Sequence, residues 1–167
     1  MRIIGIDPGY GRTGYGVIQL DGSRIRSLEF GLIETQPGLR MEQRLLQIYD
    51  ALLTIIERRK PDALALEELF FSRNVTTAIG VSQARGVVLL AAAQMGLPVS
   101  EYKPVQIKQA ITGYGKADKQ QMQEMVRLFL GLQDVPKPDD VADALAVAIT
   151  HAHTAPLTNR IRQAEGR

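Results

Sequence analysis

The sequence predicts an α/β protein built on a mixed five-stranded sheet with helices on both faces. Three observations carry this expectation. The stretch up to Thr35 holds three β-rich runs joined by turn signals. The pattern then switches to a helical period. Short apolar runs return between the later helices, as expected of buried strands reached by crossover connections.

The elements follow in order. Arg2 to Asp7 carries Ile3, Ile4 and Ile6 and reads as a strand, ended by the turn chemistry of Pro8-Gly9-Tyr10-Gly11. Thr13 to Leu20 alternates loosely and stops at Asp21-Gly22, a two-residue hairpin signal. Arg24 to Thr35 is the third strand, so the three make an antiparallel meander. After Gln36-Pro37-Gly38, Leu39 to Arg59 turns helical, with Leu45, Ile48, Leu52, Ile55 and Ile56 on one stripe. Lys60-Pro61-Asp62 stops it. Ala63 to Leu66 is wholly apolar and reads as a buried central strand ending in Glu67-Glu68. Thr76 to Gln94 is a helix rich in Ala, Gly and Ser, and Leu97 to Tyr102 a short strand. Pro104 to Ile111 is a short helix, and Thr112 to Ala117 a glycine-bearing loop. Asp118 caps a helix to Leu130, and Asp139 or Asp140 caps a last helix to about His153.

The chain has 167 residues, which fits one domain over 1–153 with a polar, flexible tail over 154–167. Hydrophobic residues make up 45% and charged residues 23%, which excludes a disordered chain, a collagen and a coiled-coil rod. There are no cysteines, so a disulfide scaffold, a thiolate zinc site and a cysteine nucleophile are excluded. Asp7 cuts short any signal-peptide apolar region. The longest uncharged runs, Gly86 to Ser100 and Ala144 to Asn159, fall short of the ~18–20 apolar residues of a membrane span. A soluble cytoplasmic protein without membrane contact is expected. The net charge of +2 hides a split. Between Phe71 and Lys119, Arg73, Arg85, Lys103, Lys108, Lys116 and Lys119 face only Glu101 and Asp118, a net +4. Such a stretch suits a phosphate-facing surface, and equally a solvated surface with charges on several sides.

The acids carry more information. Asp7 closes the first strand, Glu67 closes the central one, and Asp140 and Asp143 share a face of the last helix. Each alone has an ordinary explanation: a turn former, a loop residue, a helix start. Convergence would be costly, because like charges at ~5 Å repel by ~3 kcal/mol even at an effective dielectric near 20. A cluster of this kind takes up protons or binds a cation. Oxygen ligands without His or Cys suit Mg²⁺ or Mn²⁺ rather than zinc. Two such ions ~3.5–4 Å apart serve in-line phosphodiester displacement. Strand alternation sends Glu67 and Glu68 to opposite faces, and helical spacing admits Asp139 as well as Asp140 beside Asp143.

Four stretches together resemble the RuvC family of bacterial Holliday-junction resolvases. They are Ile4-Gly-Ile-Asp7-Pro-Gly9 with Thr13-Gly14-x-Gly16, Ala65-Leu-Glu67-Glu-Leu-Phe70, Gln83-Ala-Arg85-Gly86, and Asp140-Val-Ala-Asp143-Ala-Leu-Ala146 running on to His151. The likeness covers Met1 to about His151. It implies an RNase H-like fold and a homodimer with two active sites. It implies Mg²⁺-dependent nicking of two opposed strands of a four-way DNA junction, leaving 5′-phosphate and 3′-hydroxyl ends. A preferred nick sequence, cooperation with a RuvA–RuvB branch-migration complex and a role in recombination and repair are implied too.

Carried over by residue, the resemblance makes Asp7, Glu67, Asp140 and Asp143 the catalytic, metal-holding acids, with two ions between them. It selects Glu67 over Glu68 and Asp140 over Asp139, which is left as the helix cap. Lys108 and Lys119 match positions near junction phosphates, and Phe70 matches an aromatic that stacks on an unpaired base, with Arg73 and Asn74 beside it on the backbone. The small residues Gly80, Ala84, Gly86 and Ala91 suit either core packing or the implied dimer contact. His151 and His153 are expected to be structural.

Two other readings compete. The Ile-Asp-Pro-Gly opening is similar to the first phosphate loop of the actin, Hsp70 and sugar-kinase ATPases, but those close two such domains around a nucleotide and need roughly twice this chain. A junction-binding protein that does not cleave has no use for four acids, which repel phosphate in the absence of metal.

Overall fold

The computed structural model describes residues 1–68 and 75–164, with backbone alone for 75–77 and 156–164. Strands β1 (Arg2–Asp7), β2 (Arg12–Asp21) and β3 (Arg24–Glu34) are followed by helix α1 (Met41–Arg59), strand β4 (Ala63–Glu67), helix α2 (Val75–Gln94) and strand β5 (Val99–Tyr102). Helices α3 (Pro104–Thr112), α4 (Lys119–Leu130) and α5 (Asp139–Ala164) complete it. The sheet order is β3-β2-β1-β4-β5. β1, β2 and β3 form the expected antiparallel meander, and β4 and β5 extend it in parallel.

Alternation along the central strands builds two cores. Ile3 and Ala65 point to the face covered by α3, α4 and α5, where Ile18, Val126, Leu145 and Ile149 complete the packing. Ile4, Ile6, Leu64 and Leu66 point to the other face, against Leu52 of α1 and Val88 of α2. All four are fully buried, which is why β1 and β4 read as apolar runs. Asp118 caps α4 as expected: its Oδ1 accepts from the Gln121 amide at 2.8 Å, and Gln121 Oε1 accepts from the Asp118 amide at 3.0 Å.

One expectation needs correction. α5 does not end near His153 but continues to Ala164. Burial continues past His153 at Ala155, where polarity suggested a stop. The small residues of α2 divide between two surroundings. Ala84 and Ala91 are fully buried against the sheet, and a side chain on Gly80 would collide with the Tyr10 ring at 2.5 Å, whereas Gly86 faces open space. No helix among the described residues is long and apolar enough to cross a membrane.

Candidate active site

Glycines decide how near α5 comes to the sheet. Gly5 pairs with Gly16, and Asp7 with Gly14, across β1 and β2. A Cβ on Gly5 would lie 2.0 Å from the Ala144 carbonyl oxygen, and one on Gly14 would lie 2.0 Å from that of Asp140. The helix therefore rests on bare backbone, and its first turn arrives next to the end of β1. Asp7 shares a strand face with Ile3 and Gly5, so its carboxylate points to the α5 side. Glu67 shares a face with Ala63 and Ala65. The parallel register that sets Ile6 opposite Leu66, carried on by one residue, puts Glu67 level with Asp7.

Three of the acids are raised by burial and by their neighbours. Burial pushes the Asp7 carboxyl from 3.8 up to about 7, helped by the charges of Asp143, Asp140 and Glu67 in that order and opposed by Lys119. Burial and then Asp143 raise Glu67, while Lys108 opposes. Burial also raises Asp143, against the pull of Lys119 and with the push of Asp139 and Asp140. Asp140 Oδ2 is buried without a hydrogen bond, its nearest cation being Arg12 Nη2 at 3.3 Å. Among the described residues no three His, Asp or Glu side chains already stand together as a cation cage. That agrees with mutual repulsion: Asp140 leans on Arg12, and Asp143 lies 3.9 Å from Lys119 Nζ.

The two members of each acidic pair stand in different surroundings. Beyond the last residue of β4, the Glu68 amide donates to Tyr102 at 2.8 Å, and alternation turns its side chain from the α5 face; the carboxylate that raises Asp7 is that of Glu67. Asp139 is the first residue of α5 rather than its cap. Its carboxylate accepts from Lys119 at 2.7 Å and Gln123 at 2.8 Å, because α4 packs there and offers both donors. The Lys119 and then the Gln123 bond hold Asp139 below the usual carboxylate range.

Lys108 and Lys119 line an open cleft of ≈ 250 Å³ together with Glu67 and Asp143, over Ile107 and Met122. Phe70, Arg73 and Asn74 lie outside the described residues. His151 and His153 pack away from the acids: His151 Nδ1 meets the Tyr102 hydroxyl at 2.7 Å, and His153 sets its ring edge against Phe129 at 5.2 Å. Two residues escaped the sequence reading. Arg12 had no signal beyond its place beside Thr13-Gly14. Arg85 lay within a quoted motif without a role; a cation in so apolar a helix was the available clue.

As a chemical set, four carboxylates with no nitrogen or sulfur ligand, one holding an orphaned buried oxygen, fit a hard divalent cation. A sheet of this order, with carboxylates at the ends of adjacent parallel strands under a crossing helix, defines the RNase H-like class of folds.

Known proteins narrow the class. Residues 3–151 match the family described as Crossover junction endodeoxyribonuclease RuvC. The proteins of that name from Chloroflexus aggregans and Desulfitobacterium hafniense are 59% and 56% identical to this chain, each alignment covering 96% of it and 98% of the relative. The solved structure of Thermus thermophilus RuvC in complex with Holliday junction substrate superimposes with a TM-score of 0.90 at 41% identity, over 95% of this chain and 96% of that one. The yeast mitochondrial Holliday junction resolvase Ydc2, at 14% identity and a TM-score of 0.69, shares the fold. The chain belongs to the RuvC family of crossover junction endodeoxyribonucleases, and is an enzyme of DNA recombination and repair.

Proposed function

We propose that this enzyme resolves Holliday junctions by symmetric nicking of two opposed strands, with Asp7, Glu67, Asp140 and Asp143 as the acids that hold two Mg²⁺ ions, for which Mn²⁺ can substitute. One observation carries it: β1, β4 and α5 bring four carboxylates to one end of the sheet, three of them raised by burial and by their neighbours, beside the cleft that holds Lys108 and Lys119. Bound there, the ions supply a nucleophilic water and stabilise the leaving oxygen in an in-line displacement, giving 5′-phosphate and 3′-hydroxyl ends.

The chain's own residues do the rest. Asp7, Glu67, Asp140 and Asp143 would hold the ions, Asp7 giving up the proton that its surroundings favour and Asp140 exchanging its Arg12 contact for a cation. Lys108 and Lys119 neutralise phosphates, which raises affinity at low salt. Phe70 stacks on an unpaired base at the crossover, and Arg73 and Asn74 hold the flanking backbone; base stacking of this kind is worth ~1–3 kcal/mol.

Two opposed cuts need two sites, so the working form is a homodimer with one nuclease domain over 1–153 from each copy. The outward face of α2 supports this, with Ile79 at 57% and Leu90 at 59% exposure on one stripe with Gln83 and Gly86. Family membership supports a RuvA–RuvB complex as partner and the cytoplasm as the place of action.

The test is a synthetic four-way junction incubated with and without Mg²⁺. Paired, symmetric, ligatable nicks that need the metal are expected. A junction bound but uncut at every metal concentration, or ATP hydrolysis by the isolated protein, overturns the reading.

A further inference from the structure

The end of β4 lacks a ladder donor. In a parallel pair, a residue whose backbone groups face the neighbour bonds to the residues before and after its partner. Leu64 and Glu68 give their amides to Pro98 and Tyr102 on the β5 side, so the backbone groups of Ala63, Ala65 and Glu67 face β1. With Ala65 level with Gly5, the carbonyl of Glu67 is due the amide of residue 8. That residue is Pro8, which has no N–H. Accordingly the pairing stops at Ile6 and Leu66, although β1 runs to Asp7 and β4 to Glu67.

Arg85 of α2 supplies the missing bond. Its Nη1 donates to the Glu67 carbonyl at 2.9 Å, while Nη2 reaches Glu101 Oε1 on β5 at 2.6 Å. Its side chain is only 11% exposed. A guanidinium so enclosed needs a charge partner and uses its planar fork to satisfy two at once. A lysine has no such fork.

We propose that Arg85 is a positioning residue: it fixes the backbone of Glu67 where the sheet cannot, and so aims the Glu67 carboxylate into the ion site, with Glu101 orienting the guanidinium. The proposal rests on the reading of Glu67 as an ion-holding acid.

The test is Mn²⁺ titration of the full-length protein by electron paramagnetic resonance, alongside junction affinity in EDTA and melting temperature. Arg85→Ala is expected to weaken Mn²⁺ binding about tenfold, with junction affinity in EDTA unchanged and nicking restored toward wild type at saturating Mn²⁺. Arg85→Lys recovers part of the loss. Glu101→Gln, at an exposed position, moves the Mn²⁺ midpoint the same way by less and decides the question if Arg85→Ala does not fold. Wild-type Mn²⁺ midpoints in folded Arg85→Ala and Glu101→Gln, beside a weakened midpoint in Glu67→Gln, overturn the role of Arg85. A wild-type midpoint and wild-type nicking in Glu67→Gln instead overturn the reading of Glu67 itself.

Discussion

The carbonyl oxygen of Asp140 lies 2.0 Å from the point where a side-chain carbon on Gly14 would stand. Gly14 is also the register partner of Asp7, so one glycine sets the spacing between two of the acids. Gly14→Ala must push the start of α5 off the sheet, because the obstacle is backbone and cannot rotate away. Overpacking of this kind costs about 1–3 kcal/mol. Nicking should fall more steeply than stability, by about a hundredfold for a misplacement near 1 Å, while junction binding in EDTA persists. Urea denaturation and nicking of one preparation check both; wild-type nicking by a well-folded Gly14→Ala protein contradicts the close approach.

The raised carboxyl of Asp7 makes the metal-free protein sensitive to pH in a definite direction. Its proton leaves at 3.8 when the group is unperturbed and at about 7 in the fold. Between those values the folded state holds the proton and the unfolded state does not, so stability falls as pH rises through the window. The ceiling of this effect is about 4 kcal/mol. Asp7→Asn should therefore melt higher than wild type in EDTA above pH ~7, with the gap closing toward acid. Added Mg²⁺ should raise the wild-type melting temperature and leave the variant's unchanged. Thermal melts across pH, with and without Mg²⁺, decide it; a variant less stable than wild type at alkaline pH contradicts the assignment.

Adjacent aspartates at the head of α5 should behave oppositely. Asp139 accepts from Lys119 and Gln123 of α4, whereas Asp140 holds a buried oxygen without a hydrogen bond. Asp140→Asn is expected to lower nicking by three or more orders of magnitude, in proportion to loss of an ion ligand, with the fold intact. Asp139→Asn should stay within about threefold of wild type, since it frees Lys119 without removing a ligand. Rates on a common junction substrate at saturating Mg²⁺ provide the comparison. Equal losses in both would mean that Asp139 swings into the site.

Strand alternation made part of this site legible in advance. Ile3, Gly5 and Asp7 share a face by parity alone, and the short apolar β4 announced a buried neighbour. What parity does not say is which face α5 covers; Ala65, in one core with Leu145 and Ile149, sets the parity of Glu67 on the α5 side. The different surroundings of Asp139 and Asp140 depend on α4, whose Lys119 and Gln123 are distant in sequence but adjacent in space. Arg85 was harder still. Its partner at Glu67 is a backbone carbonyl, and the need for it arises from Pro8 on another strand; no side-chain pattern records such a debt. Polarity beyond His153 hides that α5 runs on, with Ala155 still buried.

Lys108 and Lys119 share the cleft with Glu67 and Asp143, but their surroundings differ. Lys119 is already engaged by Asp139 at 2.7 Å, and that bond holds its ammonium above its ordinary range. Its cation is fixed in place before DNA arrives. Lys108 instead opposes the rise of Glu67. If each neutralises one phosphate, Lys108→Ala and Lys119→Ala should each reduce the slope of log affinity against log salt by about 1. The two should then part company in catalysis. Removing Lys119 also withdraws the charge that opposes the rise of Asp7 and Asp143, so the cation concentration for half-maximal nicking should shift in Lys119→Ala more than in Lys108→Ala. Junction binding in EDTA at several salt concentrations gives the slopes, and Mg²⁺ titration of nicking gives the midpoints. An unchanged salt slope in both variants would remove these lysines from the DNA path.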